Sequence, residues 1–308
     1  MTGKILKGKT GNWSHPSVLA LMNDASQGEE PRDVIQRKAR ALVNEALDLG
    51  WEGPPFDPKV LASFRGIDVV EAGEPIGSEA RIFPTPSGTV RIEFDSSYPA
   101  TRVNFSICHE LAHTFFPDCY EVARNRNSSS PEQRKHQELE ALCDFGAAEL
   151  LMPARIFERD ARAETINLER IVTLAGRYHA STEATMLRVA QFSGESFALA
   201  VMSEKFKPSE EREARTRSLG FSGMEPRQKL RIDYARATNG FHLFIPKDKS
   251  APPNSVAYKA LVEGGVHTAC ESWDIPGFGM RRVQAVELPK VNSVSRCAVL
   301  FVNSAHAE

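Results

Sequence analysis

Apolar residues in the first third of the chain recur at helical spacing and then at strand spacing. From Asp33 to Leu49 they return every three or four positions, which predicts an amphipathic helix ending at Gly50. A second, short helix is predicted over 58–64. Three alternating segments follow, and they indicate the strands of a small sheet, with a tight turn at Ser87-Gly88: GIDVVEA, ARIFPTP and GTVRIEF.

The rest of the chain changes from helical to mixed patterning. A polar loop over 125–133 precedes a helix predicted from about Lys135 to Met152, which Pro153 ends. Two helical patterns between 168 and 192 then flank a short turn and resemble a helix-turn-helix. Beyond these helices, strand-like segments dominate: FALAVM, RIDYAR, FHLFIP, RRVQAVEL and CAVLFV.

These patterns predict an α+β chain in four parts. A loose arm occupies 1–30, and an α+β domain with a small sheet occupies 31–155. A helical segment resembling a helix-turn-helix covers 156–195, and a separate α+β domain covers 196–308.

Composition excludes several classes of protein. Of the 308 residues, 41% are hydrophobic and 25% are charged, which is typical of folded globular chains. The net charge of −2 excludes a basic nucleic-acid coat, and no apolar run approaches the roughly 20 residues of a membrane span. No apolar stretch suited to a secretion signal follows the N-terminal lysines. The five cysteines are unpaired in spacing, so we expect reduced thiols and a cytoplasmic location.

The string His109-Glu110-Leu-Ala-His113 carries the chemistry of this sequence. Residues four apart share one face of a helix, so both imidazoles can bind one zinc ion at ~2.0–2.1 Å while Glu110 lies nearby as a base. Apolar neighbours such as Phe105 and Phe115 predict a partly buried helix, where imidazoles need a partner. The string alone also fits an ordinary surface helix, so a further ligand must be found.

A catalytic zinc takes three protein ligands, and the third is expected on the helix over 135–152. Glu140 is the best candidate, because Asp144 stands one turn later and can orient a ligand histidine. By distance along the chain, Glu138 and His136 are competitors for the same role.

Two blocks of sequence resemble the ImmA/IrrE family of zinc metallopeptidases. They are RVNFSICHELAHTFF (102–116) and ELEALCDFGAAELLMP (138–153), and the similarity extends over roughly 31–192. The resemblance implies a zincin-like domain in which Glu140 is the third zinc ligand, Glu138 is a bystander and Asp144 orients a zinc histidine. Asp144 stands where that family usually has Asn.

The resemblance also implies a substrate and a role. Peptidases of this family cleave DNA-binding repressors that carry a helix-turn-helix, and cleavage releases stress, mobile-element or antiphage defence genes. The domain over 196–308 would then resemble a GAF-like sensor module. The alternative is a catalytically inactive regulator that contains zinc and binds DNA or acts as a sensor.

Within a peptidase mechanism, Glu110 would take a proton from water and return it to the leaving amine. The donor that stabilises the oxyanion is not identified; Tyr178 and His179 are available, although such a pair at a helix end is usually structural. The strand over 80–85 could hold the substrate backbone as an added strand.

Two further predictions concern regulation. Arg281 and Arg282, near Trp273 and Phe278, could bind single-stranded DNA as an effector by charge and stacking. Arg188, in the second helix of the helix-turn-helix-like segment, is expected to have a structural role rather than to contact DNA.

Cys119 lies six residues beyond His113, just after Pro117-Asp118 ends the helix. Its thiolate could bind zinc and block the open position in a resting enzyme, although an unreactive buried cysteine is the plainer interpretation. Cys108 points about 100° away from His109 around the helix, and Cys143 is expected to pack in the core.

Overall fold

The computed structural model describes residues 13–121, 133–211 and 227–303. Residues 1–12 of the predicted arm and most of the polar loop over 125–133 therefore lie outside the described residues. The chain divides into two compact units, the first made of Met1–Phe157 with Gly176–Ser181 and the second of Glu158–Ala175 with Thr182–Glu308. Within the described ranges, no helix is both long and apolar enough to cross a membrane.

Helices make up most of the first unit. Glu30 and Asp33 form a capping box at the second of them, and Asp57 accepts a hydrogen bond from the Lys59 backbone at the start of the third. The helices are α1 (Pro16–Leu21), α2 (Pro31–Asp48), α3 (Pro58–Phe64), α4 (Ala100–His113) and α5 (Gln133–Leu151), with a short 3₁₀ turn at Met22–Asp24 after α1. The bounds of α2, α3 and α5 agree closely with the sequence predictions.

The prediction of a loose arm over 1–30 is wrong for its described part. Val18 and Leu21 of α1 are fully buried. The Glu138 carboxylate accepts hydrogen bonds from the backbone N–H groups of Ser14 and His15, at 2.9 and 3.0 Å. A helix of six residues has too few turns to show a periodic pattern, which explains why the sequence did not reveal it.

A three-stranded sheet accompanies these helices. Its strands are β1 (Asp68–Glu71), β2 (Ala80–Pro84) and β3 (Val90–Phe94), in the order β1-β3-β2, with β1 parallel and β2 antiparallel to β3. The predicted turn is present, and Gly88 adopts a φ of 82°, which glycine tolerates best. The strand β2 lies at one edge of the sheet and packs against α4.

The helices α4 and α5 cross at close range in the core of this unit. A Cβ atom at Gly146 of α5 would lie only 2.8 Å from the Cβ of Ala112 on α4 and 3.2 Å from a methyl group of Ile35 on α2. Only glycine allows this approach, because a side chain there would overlap both neighbours. The contact brings the face of α5 that carries Glu140 against the face of α4 that carries the histidines.

The second unit is built on a five-stranded antiparallel sheet. The remaining elements are α6 (Ala154–Arg162), α7 (Leu168–Arg177), α8 (Thr182–Phe192), β4 (Phe197–Lys205), β5 (Lys229–Ala237), α9 (Val256–Glu263), β6 (Val266–Ser272), β7 (Met280–Val291) and β8 (Val294–Val302). The strand order is β5-β4-β8-β7-β6. Phe241 and Ile245 are buried, but the FHLFIP segment that contains them forms no strand, between a turn at Asn239-Gly240 and Pro246.

The helices α7 and α8 belong largely to this second unit, whereas the sequence predicted a separate segment over 156–195. Glu183 at the start of α8 accepts hydrogen bonds from Tyr234 of β5 and Arg296 of β8, at 2.7 and 2.8 Å. Arg188 is buried, with its guanidinium 4.7 Å from the centre of the Phe192 ring. The structural role predicted for Arg188 is confirmed.

Candidate metal centre

The C-terminal turns of α4 present both histidines to one spot. The ring centroids of His109 and His113 lie 5.0 Å apart, and His113 and Glu110 are both buried. The backbone N–H groups of Thr114, Phe115 and Phe116 bond to carbonyls three residues earlier, so the helix tightens and ends just after His113. The predicted pairing of two imidazoles on one helical face is therefore present.

The carboxylate of Glu140 lies between the two imidazoles. Its Oε2 is 3.1 Å from Nε2 of His109, and its Oε1 is 3.7 Å from Nε2 of His113. Ligand atoms at 2.0–2.1 Å from one tetrahedral metal would be roughly 3.3 Å apart, so these three side chains fit a zinc ion with little movement.

Asp144 fixes the outer face of His109. Its Oδ1 lies 2.9 Å from Nδ1, and because a carboxylate only accepts, this nitrogen carries the proton. The tautomer that results turns the lone pair of Nε2 inward, as a metal ligand requires.

Glu138, the other glutamate considered as third ligand, forms hydrogen bonds with the segment before α1 instead. Besides the two backbone N–H groups of Ser14 and His15, it accepts a hydrogen bond from the Ser14 hydroxyl at 3.1 Å. Burial would raise the pKa of Glu138, but these hydrogen bonds outweigh it and lower the pKa. Glu138 therefore anchors α1 to α5. The side chain of His136, the other competitor, lies outside the described residues.

Carboxylates control the protonation of His109. Burial alone would lower the pKa of its imidazole, but hydrogen bonds to Asp144 and Glu140 and the nearby charge of Glu110 raise the pKa to about 10. With its pKa raised in this way, His109 takes up a second proton besides the one on Nδ1. A metal entering the site must displace that proton.

Glu110 touches the edge strand of the small sheet. Its Oε2 accepts a hydrogen bond from the backbone N–H of Ile82 at 3.2 Å. Thr85 and Thr89 form a hydrogen-bonded pair, so alternation along β2 turns the N–H of Ile82 away from β3 and towards the open edge. One oxygen of the candidate base is thereby fixed by backbone.

A thiol that the sequence interpretation assigned to the core also lies at this site. Cys143 is fully buried, as expected, yet its sulfur and one ring nitrogen each of His109 and His113 all lie within 4.8 Å of one another. Its position three residues after Glu140, on the same helical face, was a signal that could have identified it. Cys119 is half-buried and is not part of this group.

The predicted effector residues are not arranged for stacking on bases. Trp273 and Phe278 are each 2% exposed and stack on one another in the core of the second unit, with ring centroids 6.1 Å apart. Arg281 is half-buried and donates to the Phe278 carbonyl and to Asn303, at 2.7 and 3.0 Å. Only Arg282 of the four is exposed, so the predicted stacking surface is wrong.

Of the two residues considered as oxyanion donors, Tyr178 is fully buried and packs on Phe157, with ring centroids 5.1 Å apart. A structural role accounts for it. His179 is exposed in a left-handed conformation, with φ of 49°, and its carbonyl accepts from Asn104 of α4 at 3.4 Å.

A His-Glu-x-x-His string on one helix, met by a carboxylate from a second helix, defines a domain of the metallopeptidase class. Residues 65–190 match the family model of M78 peptidases, described as the IrrE N-terminal-like domain. Over this range the match confirms the resemblance to the ImmA/IrrE family seen in the sequence. The matched range begins later than the 31–192 suggested by the sequence.

A solved structure shares the fold. A transcriptional regulator of Mycobacterium tuberculosis aligns with a TM-score of 0.56 and 15% sequence identity, covering 87% of this chain and 76% of that one. At this identity the similarity concerns the fold alone. Comparison with curated proteins gives no match.

Proposed function

We propose that this protein is a zinc-dependent endopeptidase, with the metal held by His109, His113 and Glu140. The observation that carries the proposal is the Glu140 carboxylate, which lies 3.1 and 3.7 Å from the inner nitrogens of the two histidines. Asp144 behind His109 supplies the outer hydrogen bond that ligand histidines of zinc sites usually have.

Each residue then has a definite task. When bound, zinc polarises the scissile carbonyl and lowers the pKa of water towards ~7. Glu110 accepts the proton of the attacking water and returns it to the departing amine. The Ile82 N–H holds one oxygen of that carboxylate in place, so the base is oriented before substrate arrives.

The edge strand β2 offers a place for an extended substrate. The Ile82 carbonyl points away from β3, as does the N–H that already donates to Glu110, and β2 has no strand on its other side among the described residues. A substrate segment can pair there through its main chain, which tolerates many side chains. Glu110 contacts this same edge, so a backbone bound along β2 would pass beside the catalytic base.

The proposed substrate is a helix-turn-helix repressor whose cleavage releases stress, mobile-element or antiphage defence genes. The match of residues 65–190 to the IrrE N-terminal-like domain supports this class of substrate. The second unit, proposed as a GAF-like sensor, would supply the control. Among the described residues, the second unit holds no comparable group of metal-binding side chains, which suits a regulatory rather than catalytic part.

The test is cleavage of a repressor encoded by the neighbouring reading frame. Full-length protein loaded with zinc should cut the repressor at a defined bond located by mass spectrometry, and a chelator should stop the reaction until zinc is restored. Intact repressor after incubation with zinc-loaded protein, over a range of candidate repressors, would contradict the proposal.

A second candidate function is a zinc-containing regulator without peptidase activity. The nearness of Cys143 favours it, since four protein ligands are typical of structural zinc. Stoichiometric zinc, absence of cleavage and specific binding to promoter DNA would together favour this alternative.

A further inference from the structure

Three polar side chains of α5 share the face that meets α4. Cys143 and Asp144 lie three and four residues after Glu140, so both flank it on one side of the helix. Glu140 and Asp144 both contact His109, and the Cys143 sulfur lies within 4.8 Å of one ring nitrogen of each histidine. The thiol therefore forms a group with the two histidines, and Glu140 meets the same two histidines, at 3.1 and 3.7 Å, without being part of that group.

With Glu140 drawn towards this group, four side chains could donate to one ion. Two imidazoles, a carboxylate and a thiolate are all normal zinc ligands, with Zn–S at ~2.3 Å and Zn–N at ~2.0–2.1 Å. A site with four protein ligands is closed, whereas a catalytic site keeps one position for water. If Cys143 binds the zinc ion, the site is closed and inactive; if it does not, one position stays open for water and the site can be catalytic.

We propose that Cys143 is the fourth protein ligand of the resting protein and that withdrawal of its sulfur opens the site. The idea rests on the proposed function, because it assigns regulation to the same metal. On binding, the thiol gives its proton to solvent and the sulfur takes the position that water would hold. On release, water returns and the sulfur regains a proton, so no oxidant or reductant is needed.

The other thiols near the site fit this role less well. Cys108 is fully buried and lies next to His109, about 100° round the helix, so it points away from the cluster. Cys119 follows the end of α4, and its backbone N–H bonds to the Phe116 carbonyl at 3.2 Å. Within the described part of the chain, the metal-binding group contains Cys143 and neither of these two residues.

The competing explanation is a core thiol that merely packs beside two imidazoles. X-ray absorption at the zinc edge separates the two, because a sulfur neighbour at ~2.3 Å is distinct from nitrogen and oxygen at ~2.0–2.1 Å. The measurement uses full-length protein loaded with zinc and does not depend on turnover. Cobalt substitution gives a second reading through the sulfur-to-metal charge-transfer band.

We expect one sulfur scatterer in the unaltered protein, its loss in Cys143→Ala and Cys143→Ser, and its retention in Cys119→Ala. The serine variant preserves volume, so a folding defect in the alanine variant leaves the test intact. A shell of nitrogen and oxygen alone in the unaltered protein overturns the proposal. Loss of sulfur in Cys119→Ala, with retention in Cys143→Ser, overturns it in favour of the other cysteine.

Cleavage assays on the same samples keep this proposal distinct from the proposed function. Removal of the sulfur should raise basal cleavage of the repressor while His109, His113 and Glu140 still hold zinc. A sulfur signal that depends on Cys143, without cleavage by any variant, would support the ligand and reject the peptidase. A protein that binds no zinc would reject both.

Discussion

Gly146 of α5 faces Ala112 of α4 so closely that a Cβ atom at position 146 would lie 2.8 Å from the Ala112 Cβ. Ala112 immediately precedes His113, and Gly146 lies two residues beyond Asp144. The separation of these two helices therefore sets the distance between the histidines and the carboxylates that meet them.

Gly146→Ala should accordingly weaken zinc binding as well as stability. The added methyl group overlaps Ala112 and crowds Ile35, and overpacking of this kind costs about 1–3 kcal/mol in the free energy of unfolding. Gly176→Ala is the matched control, since nothing lies within 4 Å of a Cβ there and its effect should stay within about 1 kcal/mol. Equal zinc affinity and stability for both variants, by titration and denaturation, would show that the close approach is unimportant.

Glu110→Gln should keep zinc and lose turnover. Glutamine preserves the shape and can still accept from the Ile82 N–H, but it cannot take a proton from water. Loss of a general base costs ~10²–10⁴-fold in rate. Metal analysis and cleavage rates on the same purified variant provide the measurement, and substantial cleavage by the zinc-loaded variant would remove Glu110 from its role.

Glu140→Ala should lower zinc affinity, whereas Glu138→Ala should loosen the segment around α1 and leave zinc binding intact. The first removes a carboxylate that lies between the two histidines, so zinc affinity should fall steeply. The second frees Ser14 and His15 from α5, so amide hydrogen exchange over 16–21 should accelerate while zinc remains bound. An equal loss of metal in the two variants would mean that the choice of third ligand is mistaken.

Asp144→Ala should have an intermediate effect. Removal of the outer partner of a ligand histidine typically lowers metal affinity or activity by about 10–100-fold. Asp144→Asn retains an oxygen that can accept from Nδ1 of His109, so it should recover most of the loss. Zinc titrations of the two variants give the comparison, and indistinguishable affinities would argue against an orienting role.

A regulatory input is expected through residues 196–308, with single-stranded DNA as the predicted effector. Because Trp273 and Phe278 are buried, any effect should come from phosphate contacts and weaken as salt rises, with little dependence on sequence. Arg282→Ala should reduce it more than Lys290→Ala, an exposed cation on the same strand. Cleavage rates that oligonucleotides leave unchanged across a salt series would exclude this effector.

The sequence predicted the parts of the site whose spacing is local. His109 and His113 share a face because they are four residues apart, and the helices α2 and α5 show clear periodicity. Asp144 could be placed one turn from Glu140 for the same reason. The choice of Glu140 over Glu138 needed the resemblance, because both carboxylates lie within one turn of α5.

What the sequence could not predict depends on contacts between distant segments. The Glu138 carboxylate is not a metal ligand because it accepts hydrogen bonds from Ser14 and His15, more than 120 residues earlier in the chain. No local sequence pattern predicts hydrogen bonds between such distant residues. Trp273 and Phe278 looked available for stacking because single-sequence reasoning cannot tell which face of an aromatic cluster is covered. Cys143 was assigned to the core on residue type alone. The assignment is correct, but a buried cysteine can also lie beside the two histidines, as Cys143 does.

The contacts of α1 and α2 also determine where this peptidase domain can be excised for recombinant production. A fragment limited to the matched range 65–190 would lack Ser14 and His15, which hold Glu138, and Ile35, which packs over Gly146. The parts of α5 that contact α2 and the segment before α1 would then be exposed to solvent, and the helix that carries Glu140 would lose that support. A fragment meant to fold and bind zinc on its own should begin ahead of Ser14 and continue through residue 181, where the first unit ends.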